Sequence, residues 1–359
     1  MSPTPHRVTL LPGDGIGPEV IDAARLVLDE SGAPLEWEVL EVGRPAVRRG
    51  GDALPAAVLE SVRRNRVALK GPVTTTAGGG FRSVNIGLRR ELGLYCQVRL
   101  CRSFAGVRTP FSPVDLVVMR ETTEDLYAGV EMDSGSPGAV ALVELLAATG
   151  TNLPEGAGMS IKYISEPAVR RMVRFALDWA RRNGRARVTV VHKATVMRST
   201  DGLFLAAARD VAAGYPDIEV DDCLVDNLAA QLVRCPDRYD VLVTTNLYGD
   251  ILSDLASGLV GGVGLVPGCN YGDGLALFEP GHGSAPRHAG LDRVDPLATI
   301  LSGAMMLRHL GEPDAALRVE DAVERVVEAG RCLTYDIAAD RDRAVGTAAV
   351  AAAVIDAMR

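Results

Sequence analysis

Three aspartates have the chemistry to hold a cation together. Asp250 and Asp254 stand four residues apart in NLYGDILSDL (246–255), and Asp226 lies upstream in CLVDNLAAQ. On a helix this spacing puts two side chains on one face, where like charges repel by about 0.2–0.5 kcal/mol. A hard divalent cation such as Mg²⁺ or Mn²⁺, which prefers carboxylate oxygens, removes that repulsion. The alternative is a helix N-cap beside a solvated surface carboxylate.

Three arginines at the ends of predicted elements form a candidate clamp for an anion with several carboxylates. Arg89 lies one turn inside a helix that we predict to begin near Asn85. Arg99 follows on the next segment, and Arg120 ends the predicted strand 114–120. Guanidinium groups bind carboxylates bidentately, and the N–H groups at a helix N-terminus attract anions. The alternative is that these are ordinary surface arginines.

Two further side chains are candidates for proton transfer. Lys193 follows the predicted buried strand RVTVVH, at the carboxyl edge of a sheet, where sites in α/β proteins collect. A lysine shifts its pKa readily when buried, although a snorkelling surface lysine is the alternative. Tyr127 lies in ETTEDLYAGVE (121–131) and is either a proton donor or a half-buried strand tyrosine.

The elements that must position these residues follow an α/β pattern. Continuous Val- and Leu-rich runs, typical of strands covered on both faces, occur at 8–12, 66–70, 114–120, 187–192 and 239–246. Helical periodicity, with Pro, Glu and Gly at suitable ends, occurs at 18–30, 165–184, 296–311 and 344–358. Residues 132–158 are the least regular region, and we expect a loop, a small hairpin or a dimer arm there.

A glycine-rich loop, GDGIG (13–17), follows the first predicted strand. It departs from the G-x-G-x-x-G fingerprint of dinucleotide-binding folds, and no well-placed acidic residue follows a second strand. We therefore predict a tight structural turn at this point.

Size and charge narrow the class of protein. A chain of 359 residues predicts about two domains, and a net charge of -8 disfavours general affinity for nucleic acid or an anionic membrane. Six cysteines without a C-x-x-C pair predict reduced thiols rather than a disulfide framework or a zinc site. With no signal-peptide pattern and no apolar run of transmembrane length, the expected location is the cytoplasm.

Taken together, these segments resemble the metal-dependent β-decarboxylating dehydrogenases, the isocitrate/isopropylmalate dehydrogenase family, and most closely its isocitrate and homoisocitrate members. The matching segments, in the family's order, are LPGDGIGPEV, GGGFRSVN, RETTEDLYAGVE, VHKATVMRSTDGLF, NLYGDILSDLASGLVGG and FEPGHGSAP. The resemblance implies an α/β fold that is not a Rossmann fold. It implies a large domain from 1–98 and 257–359, a small domain from 99–256 with a dimer clasp around 132–158, and a homodimer with shared active sites.

The resemblance also implies roles for individual residues. The substrate carboxylates would contact Arg89, Arg99 and Arg120. The base would be Lys193 of the partner subunit, and Tyr127 would protonate the enol left by decarboxylation. Mg²⁺ or Mn²⁺ would be held by Asp250, Asp254 and Asp226, the last from the other subunit.

Substrate choice within the family depends on the group that meets the 3-substituent. Ser83 and Asn85 match the isocitrate pattern, in which two polar groups bind a third carboxylate. Thr195, Leu100 and the pair Asp226–Asn227 depart from that pattern. The alternative substrates are therefore homoisocitrate, another substituted malate or a phosphonate analogue. A non-catalytic regulatory subunit is the alternative function.

The remaining matches fall at the family's nicotinamide-cofactor positions. They are Thr74, Thr75, Glu279, His282, Gly283, Ser284, Ala285, Arg287, His288, Asp295 and Tyr335. Family members that use NAD usually carry an aspartate where this chain has Arg287, which is followed by His288. Those cations, with Tyr335, favour NADP over NAD, although Ala339 stands where some NADP users carry an arginine.

Overall fold

A ten-stranded mixed sheet organises the computed structural model, which describes residues 4–74, 83–111 and 113–359. The strands are β1 (His6–Leu11), β2 (Leu35–Val39), β3 (Val67–Lys70), β4 (Cys96–Arg102), β5 (Asp115–Glu121), β6 (Glu131–Met132), β7 (Met159–Ser160), β8 (Arg187–His192), β9 (Glu219–Leu224), β10 (Val241–Thr244), β11 (Pro267–Gly272) and β12 (Leu275–Pro280). The order in the sheet is β2-β1-β3-β12-β11-β4-β5-β10-β8-β9, and β6 pairs separately with β7. Strands β12, β11, β4 and β5 pair antiparallel at the centre, whereas the outer pairs are parallel.

Helices cover both faces of this sheet. They are α1 (Gly17–Asp29), α2 (Arg44–Arg48), α3 (Ala56–Asn65), α4 (Val84–Glu91), α5 (Pro137–Ala148), α6 (Glu166–Arg182), α7 (Asp201–Ala212), α8 (Val225–Arg234), α9 (Asn246–Leu259), α10 (Leu297–His309), α11 (Pro313–Ala329) and α12 (Thr347–Met358). The four helices and five strands predicted from the sequence are all present, so the α/β prediction is confirmed. Among the described helices, none combines the length and apolar character that a membrane span requires.

The continuous apolar runs are explained by burial on both sides. Leu10 and Leu11 are neighbours in β1 and point to opposite faces of the sheet, yet each is at most 1% exposed. Leu10 packs in the core beneath α1 and α10, while Leu11 packs in a second core beneath α3 and α4. The middle of the chain forms two further cores around β5, β8 and β10. The domain boundaries themselves stay a prediction.

The glycine loop after β1 is a tight turn, as predicted. Gly13 has a φ of 79°, and a Cβ there would lie 2.2 Å from the carbonyl oxygen of Pro72. Asp14 completes the turn, because its carboxylate accepts hydrogen bonds from the backbone N–H groups of Arg44 and Thr74, each at 2.9 Å. The loop therefore fastens β1 to the end of β3.

The region 132–158 is more regular than predicted. It contains α5, and the short antiparallel pair of β6 and β7 closes its base. The helix start was readable, since Ser136 caps α5 by accepting a hydrogen bond from Ala139 N at 3.3 Å and Pro137 occupies the first position. The helix was hidden because its residues are apolar apart from Glu144, so they give no polar face and hence no period.

Candidate active site

A cleft of about 340 Å³ lies over the central strands and gathers most of the predicted substrate residues. Its lining includes Ser83, Asn85, Arg89, Arg99, Arg120, Tyr127 and Asp250. The sheet register explains the convergence. In the register, Gly268 pairs with both Arg99 and Glu279, and Arg120 pairs with Gln97, which lies two residues before Arg99 in β4. Residues two apart on a strand share a face, so these side chains rise on the same side of the sheet.

Arg120 forms the floor of the cleft. Its Nε donates to Asn246 Oδ1 at 2.9 Å, and its Nη1 donates to Asp250. Tyr127 donates its hydroxyl to the other oxygen of Asp250 and lies under the guanidinium, with its ring centroid 4.7 Å away. Burial, and to a lesser extent the positive charge of the neighbouring Arg89, lowers the pKa of Arg120 to about 10. The guanidinium is therefore a cation at neutral pH.

The titration of Tyr127 and Asp250 fits an acid paired with a carboxylate. Burial first, and then the hydrogen bond to Asp250, raises the pKa of Tyr127, so the phenol holds its proton at neutral pH. Burial alone would raise the pKa of Asp250, but Arg120 and Tyr127 outweigh it and the pKa lies below the ordinary value. Asp250 is therefore an anion at neutral pH and Tyr127 a potential proton donor.

The aspartate pair lies on α9, as the sequence pattern predicts. Asp250 faces the cleft, and one turn further Asp254 accepts a hydrogen bond from Arg99 Nη1 at 3.2 Å. The side chain of Asp254 is 67% exposed. Two carboxylates with free oxygen lone pairs on one exposed helix face are ligands that suit Mg²⁺ or Mn²⁺.

Lys193 and Asp226 lie outside this cleft within the chain. Lys193 follows β8 and Asp226 begins α8, and the distance between Lys193 Nζ and Asp226 Oδ1 is 2.5 Å. That hydrogen bond holds the pKa of Asp226 below its usual range. Across the described ranges, no single chain brings three His, Cys, Asp or Glu side chains into a metal-binding group. Within one described chain the predicted residues thus fall into two groups, here called half-sites: Tyr127 and Asp250 at the cleft, and Lys193 with Asp226 outside it.

A buried ion-pair network beside the cleft was not predicted. Glu279, predicted only as a cofactor contact, lies 2.7 Å from Lys70 Nζ and 3.3 Å from Arg89 Nη2. Asn270 Nδ2 and Gln97 Nε2 donate to the same carboxylate at 2.7 and 3.2 Å. Burial opposes ionisation of Glu279, but Lys70 and then Arg89 hold its pKa far below the usual range. The sequence did contain an indication of this role for Lys70: it is a charged residue at the end of a predicted buried strand, close to predicted site residues.

Two polar atoms in the cleft have no hydrogen-bond partner among the described residues. Arg120 Nη2 and Asn85 Oδ1 are buried without a hydrogen bond from any described residue. Asn85 lies inside the first turn of α4, which begins at Val84, rather than just before the helix as predicted. Unpaired buried polar atoms cost about 1–3 kcal/mol each, so the cleft is suited to a polar ligand.

A second cavity of about 240 Å³ adjoins the first, because both are lined by His282 and Gly283. Predicted cofactor residues line it, namely Ala285, His288, Asp295 and Tyr335. Three buried side-chain atoms there, His282 Nε2, His288 Nδ1 and Asp295 Oδ2, have no hydrogen-bond partner among the described residues. Burial lowers the pKa of His282, whereas burial and then Asp336 raise the pKa of Asp295. Such a row of unsatisfied polar groups fits a nucleotide.

The rest of the predicted cofactor set lies around these two cavities. Thr74 and Ser284 contact each other through their hydroxyl oxygens at 2.7 Å, at the glycine turn. Arg287 is exposed beside His288, whose ring stacks on Tyr335 with centroids 6.1 Å apart. Thr75 lies outside the described residues.

Comparison with known proteins agrees with this fold. The sequence family described as isocitrate/isopropylmalate dehydrogenase matches residues 7–354. A probable NAD isocitrate dehydrogenase subunit alpha of Caenorhabditis elegans is 43% identical over 98% of this chain and 93% of its own length. A chloroplastic 3-isopropylmalate dehydrogenase of Solanum tuberosum is 43% identical over 90% of this chain and 86% of its own. The crystal structure of isocitrate dehydrogenase from Methylococcus capsulatus superposes with a TM-score of 0.91, at 48% identity over 99% of both chains.

The fold and these comparisons define a decarboxylating oxidoreductase. The chain belongs to the isocitrate/isopropylmalate dehydrogenase family. Its members are metal-dependent enzymes that use Mg²⁺ or Mn²⁺ together with NAD or NADP, and the resemblance read from the sequence is confirmed.

Proposed function

We propose that this enzyme converts isocitrate to 2-oxoglutarate and CO₂ while reducing NADP⁺ or NAD⁺. The convergence of Arg89, Arg99 and Arg120 with Asn85 in one cleft carries this proposal. Three guanidinium groups and an amide suit a small acid with several carboxylates.

The substituent at C3 distinguishes isocitrate from its analogues. A third carboxylate would accept a hydrogen bond from Asn85 Nδ2, and it is attracted by the three guanidinium groups that line the cleft. An isopropyl group would leave this amide without a ligand partner, at about 1–3 kcal/mol per unpaired polar group. The cleft thus supports a tricarboxylate over isopropylmalate, and homoisocitrate differs from isocitrate only in length.

The chain's own residues supply binding and proton transfer. The arginines orient the substrate carboxylates, which fixes the C2 hydroxyl relative to the proton-transfer groups. Lys193 accepts the hydroxyl proton as C2 is oxidised, and Tyr127 returns a proton to C3 after CO₂ leaves. Asp250, Asp254 and Asp226 would hold the divalent cation, and His282, His288 and Asp295 would contact the nucleotide. When bound, the metal stabilises negative charge on the substrate oxygens and the nicotinamide accepts the hydride.

We further propose that two chains share each active site. Within one chain Lys193 pairs with Asp226 and is absent from the lining of the cleft that holds Tyr127 and Asp250. Ile251, which follows Asp250 in α9, is 60% exposed, and Leu145 of α5 is 62% exposed. Exposed apolar groups next to an incomplete site favour a homodimer that supplies Lys193 and Asp226 from the partner, with α5 in the clasp.

NADP is the proposed cofactor in preference to NAD. His288 lines the second cavity, the exposed Arg287 precedes it in the chain, and the Arg293 guanidinium lies 4.3 Å from the ring centroid of Tyr335, which also lines the cavity. Arginines near this cavity suit the 2′-phosphate of NADP. Relatives named for either cofactor are more than 40% identical to this chain, so sequence similarity leaves the choice to measurement.

We also propose the division into a large domain (1–98 and 257–359) and a small domain (99–256), and a cytoplasmic location. The sheet runs through both proposed domains, with β4 and β11 as the strands that meet at their border. The six cysteines are free thiols, which suits a reducing compartment.

A substrate and cofactor panel tests the proposed function. The protein is mixed with Mn²⁺, either NAD⁺ or NADP⁺, and one of isocitrate, homoisocitrate or isopropylmalate, and absorbance at 340 nm is followed. The highest kcat/KM is expected with isocitrate and NADP⁺. A higher kcat/KM for homoisocitrate or isopropylmalate reassigns the substrate, and no reduction of either cofactor with any substrate contradicts the proposal. Arg287→Asp, which reverses the charge beside His288, is expected to shift preference towards NAD⁺.

A further inference from the structure

A buried lysine lies between the two half-sites. Lys162 follows β7, and only 12% of its side chain is exposed. Its Nζ lies 2.7 Å from Asp201 Oδ1 and 3.7 Å from Asp125 Oδ1. Nζ also lies 4.8 Å from the ring centroid of Tyr248, which adds a cation–π contact. One cation thus neutralises two carboxylates from different parts of the chain.

Asp125 connects this lysine to the segment that carries Tyr127. It is 1% exposed and has a φ of 68°, an unusual backbone conformation for an aspartate. Its Oδ1 accepts a hydrogen bond from Leu126 N at 2.8 Å, and its Oδ2 accepts one from Leu247 N at 3.0 Å. The Asp125 carboxylate therefore fixes both the turn that carries Tyr127 and the first turn of α9, the helix that carries Asp250 and Asp254.

Asp201 connects the same lysine to the other half-site. It is fully buried, and its Oδ2 accepts a hydrogen bond from the backbone N–H of Lys193 at 2.7 Å. Asp201 begins α7, so this bond ties the backbone of Lys193 to a helix packed in the core. Both buried carboxylates depend on Lys162 for their neutralisation, since buried charges are costly when unpaired.

We propose that Lys162 is a positioning residue that fixes Tyr127 and Lys193 relative to each other through Asp125 and Asp201. The inference rests on the proposed function, which gives those two residues the proton transfers. In a dimer with shared sites, one chain's Tyr127 and Lys193 serve different active sites. Lys162 would then link the two sites within each chain, without contacting substrate at either.

The test replaces the charge and keeps most of the side chain. In Lys162→Met we expect kcat with isocitrate to fall at least about tenfold while KM changes less than about threefold, because misplaced groups slow the chemical steps more than binding. Hydrogen–deuterium exchange should rise in peptides covering 124–128, 192–197 and 246–250. Lys162→Arg, which restores the charge, is expected to recover part of kcat.

Arg170→Met is the matched control. Arg170 also joins two carboxylates, Glu166 and Asp210, but both are exposed, and their ion pairs with Arg170 involve no residue of the three segments. Its kcat and exchange in those peptides are expected to stay at wild-type values. If Lys162→Met does not fold, Lys162→Gln provides the measurement, since its amide still donates to the carboxylates.

Two results would overturn the inference. One is a folded Lys162→Met, or Lys162→Gln where the methionine variant does not fold, with kcat within twofold of the wild type. The other is a loss of kcat without faster exchange in the three segments. Failure of the proposed function is distinguished by the wild-type protein, which would then show no cofactor reduction, while the exchange comparison would still test the link.

Discussion

Lys193 and Asp226 contact each other at 2.5 Å in one chain, and neither lines the cleft that holds Tyr127 and Asp250. The side chain of Lys193 is 26% exposed and that of Asp226 is 65% exposed. An exposed, complementary ion pair contributes little to folding. We infer that this pair serves a partner's site rather than the stability of its own chain.

Replacing Arg120 with lysine should impair substrate binding strongly, although the substitution keeps the positive charge. A lysine cannot supply the contacts of Nε with Asn246, of Nη1 with Asp250 and of the unpaired Nη2 with a ligand. We expect kcat/KM for isocitrate to fall about 100- to 1,000-fold, equivalent to about 3–4 kcal/mol. Arg187→Lys, at an exposed pair with Glu219, should stay within about twofold. Steady-state kinetics measure both, and a wild-type kcat/KM in Arg120→Lys would remove the arginine from the substrate site.

Asn85→Leu should change substrate preference. The leucine removes the unpaired amide from the cleft and offers apolar surface to a 3-substituent. We expect kcat/KM for isocitrate to fall about 10- to 100-fold and that for isopropylmalate to rise, because each unpaired polar group costs about 1–3 kcal/mol. The ratio of the two kcat/KM values measures the effect, and an unchanged ratio would show that Asn85 does not contact the 3-substituent.

The sequence predicted the elements better than the connections between them. Runs such as 187–192 revealed strands because burial on both faces leaves only apolar residues, and helix α6 showed its apolar stripe and its Pro167 start. Helix α5 was missed because its small apolar residues have no periodic pattern. Capping at Ser136 could have revealed it.

The site was predictable as a set of residues but not as a geometry. Arg120 and Asp250 were both identified, whereas their direct contact depends on β5 and α9 packing together over a separation of 130 residues. Lys70 was overlooked because its buried partner, Glu279, is brought to it by the pairing of β3 with β12. Spacing along the chain carries no information on such long-range pairs.

Lys70→Met should destabilise the fold. The substitution leaves Glu279 buried with Arg89 as its remaining cation, and breaking a buried pair costs about 3–5 kcal/mol. The double variant Lys70→Met/Glu279→Gln, which removes both charges, should recover most of the loss. Urea unfolding measures both free energies, and a loss below about 1 kcal/mol in the single variant would contradict the importance of the pair.

Asp295 should make stability fall as pH rises. Its pKa is raised in the folded state by burial and by Asp336, so the folded protein binds the proton more tightly than the unfolded chain. That contribution is complete below the unfolded pKa of ~3.9 and is lost as pH rises through the folded pKa. Asp295→Asn keeps an acceptor for Leu297 N and cannot ionise. We expect the variant to gain stability relative to wild type as pH rises above ~3.9 and through the folded pKa in urea unfolding; parallel curves would contradict this.

Mixed dimers test the shared active site most directly. Lys193→Met and Asp250→Asn chains, each inactive alone, are unfolded together in equal amounts and refolded. If Lys193 serves the partner's cleft, half of the dimers hold one intact site of two, and activity returns to roughly a quarter of the wild-type value. Mixing Lys193→Met with Asp226→Asn, which damages the same half-site in both chains, should restore none. No recovery in the first mixture, with dimer formation verified, would contradict the account.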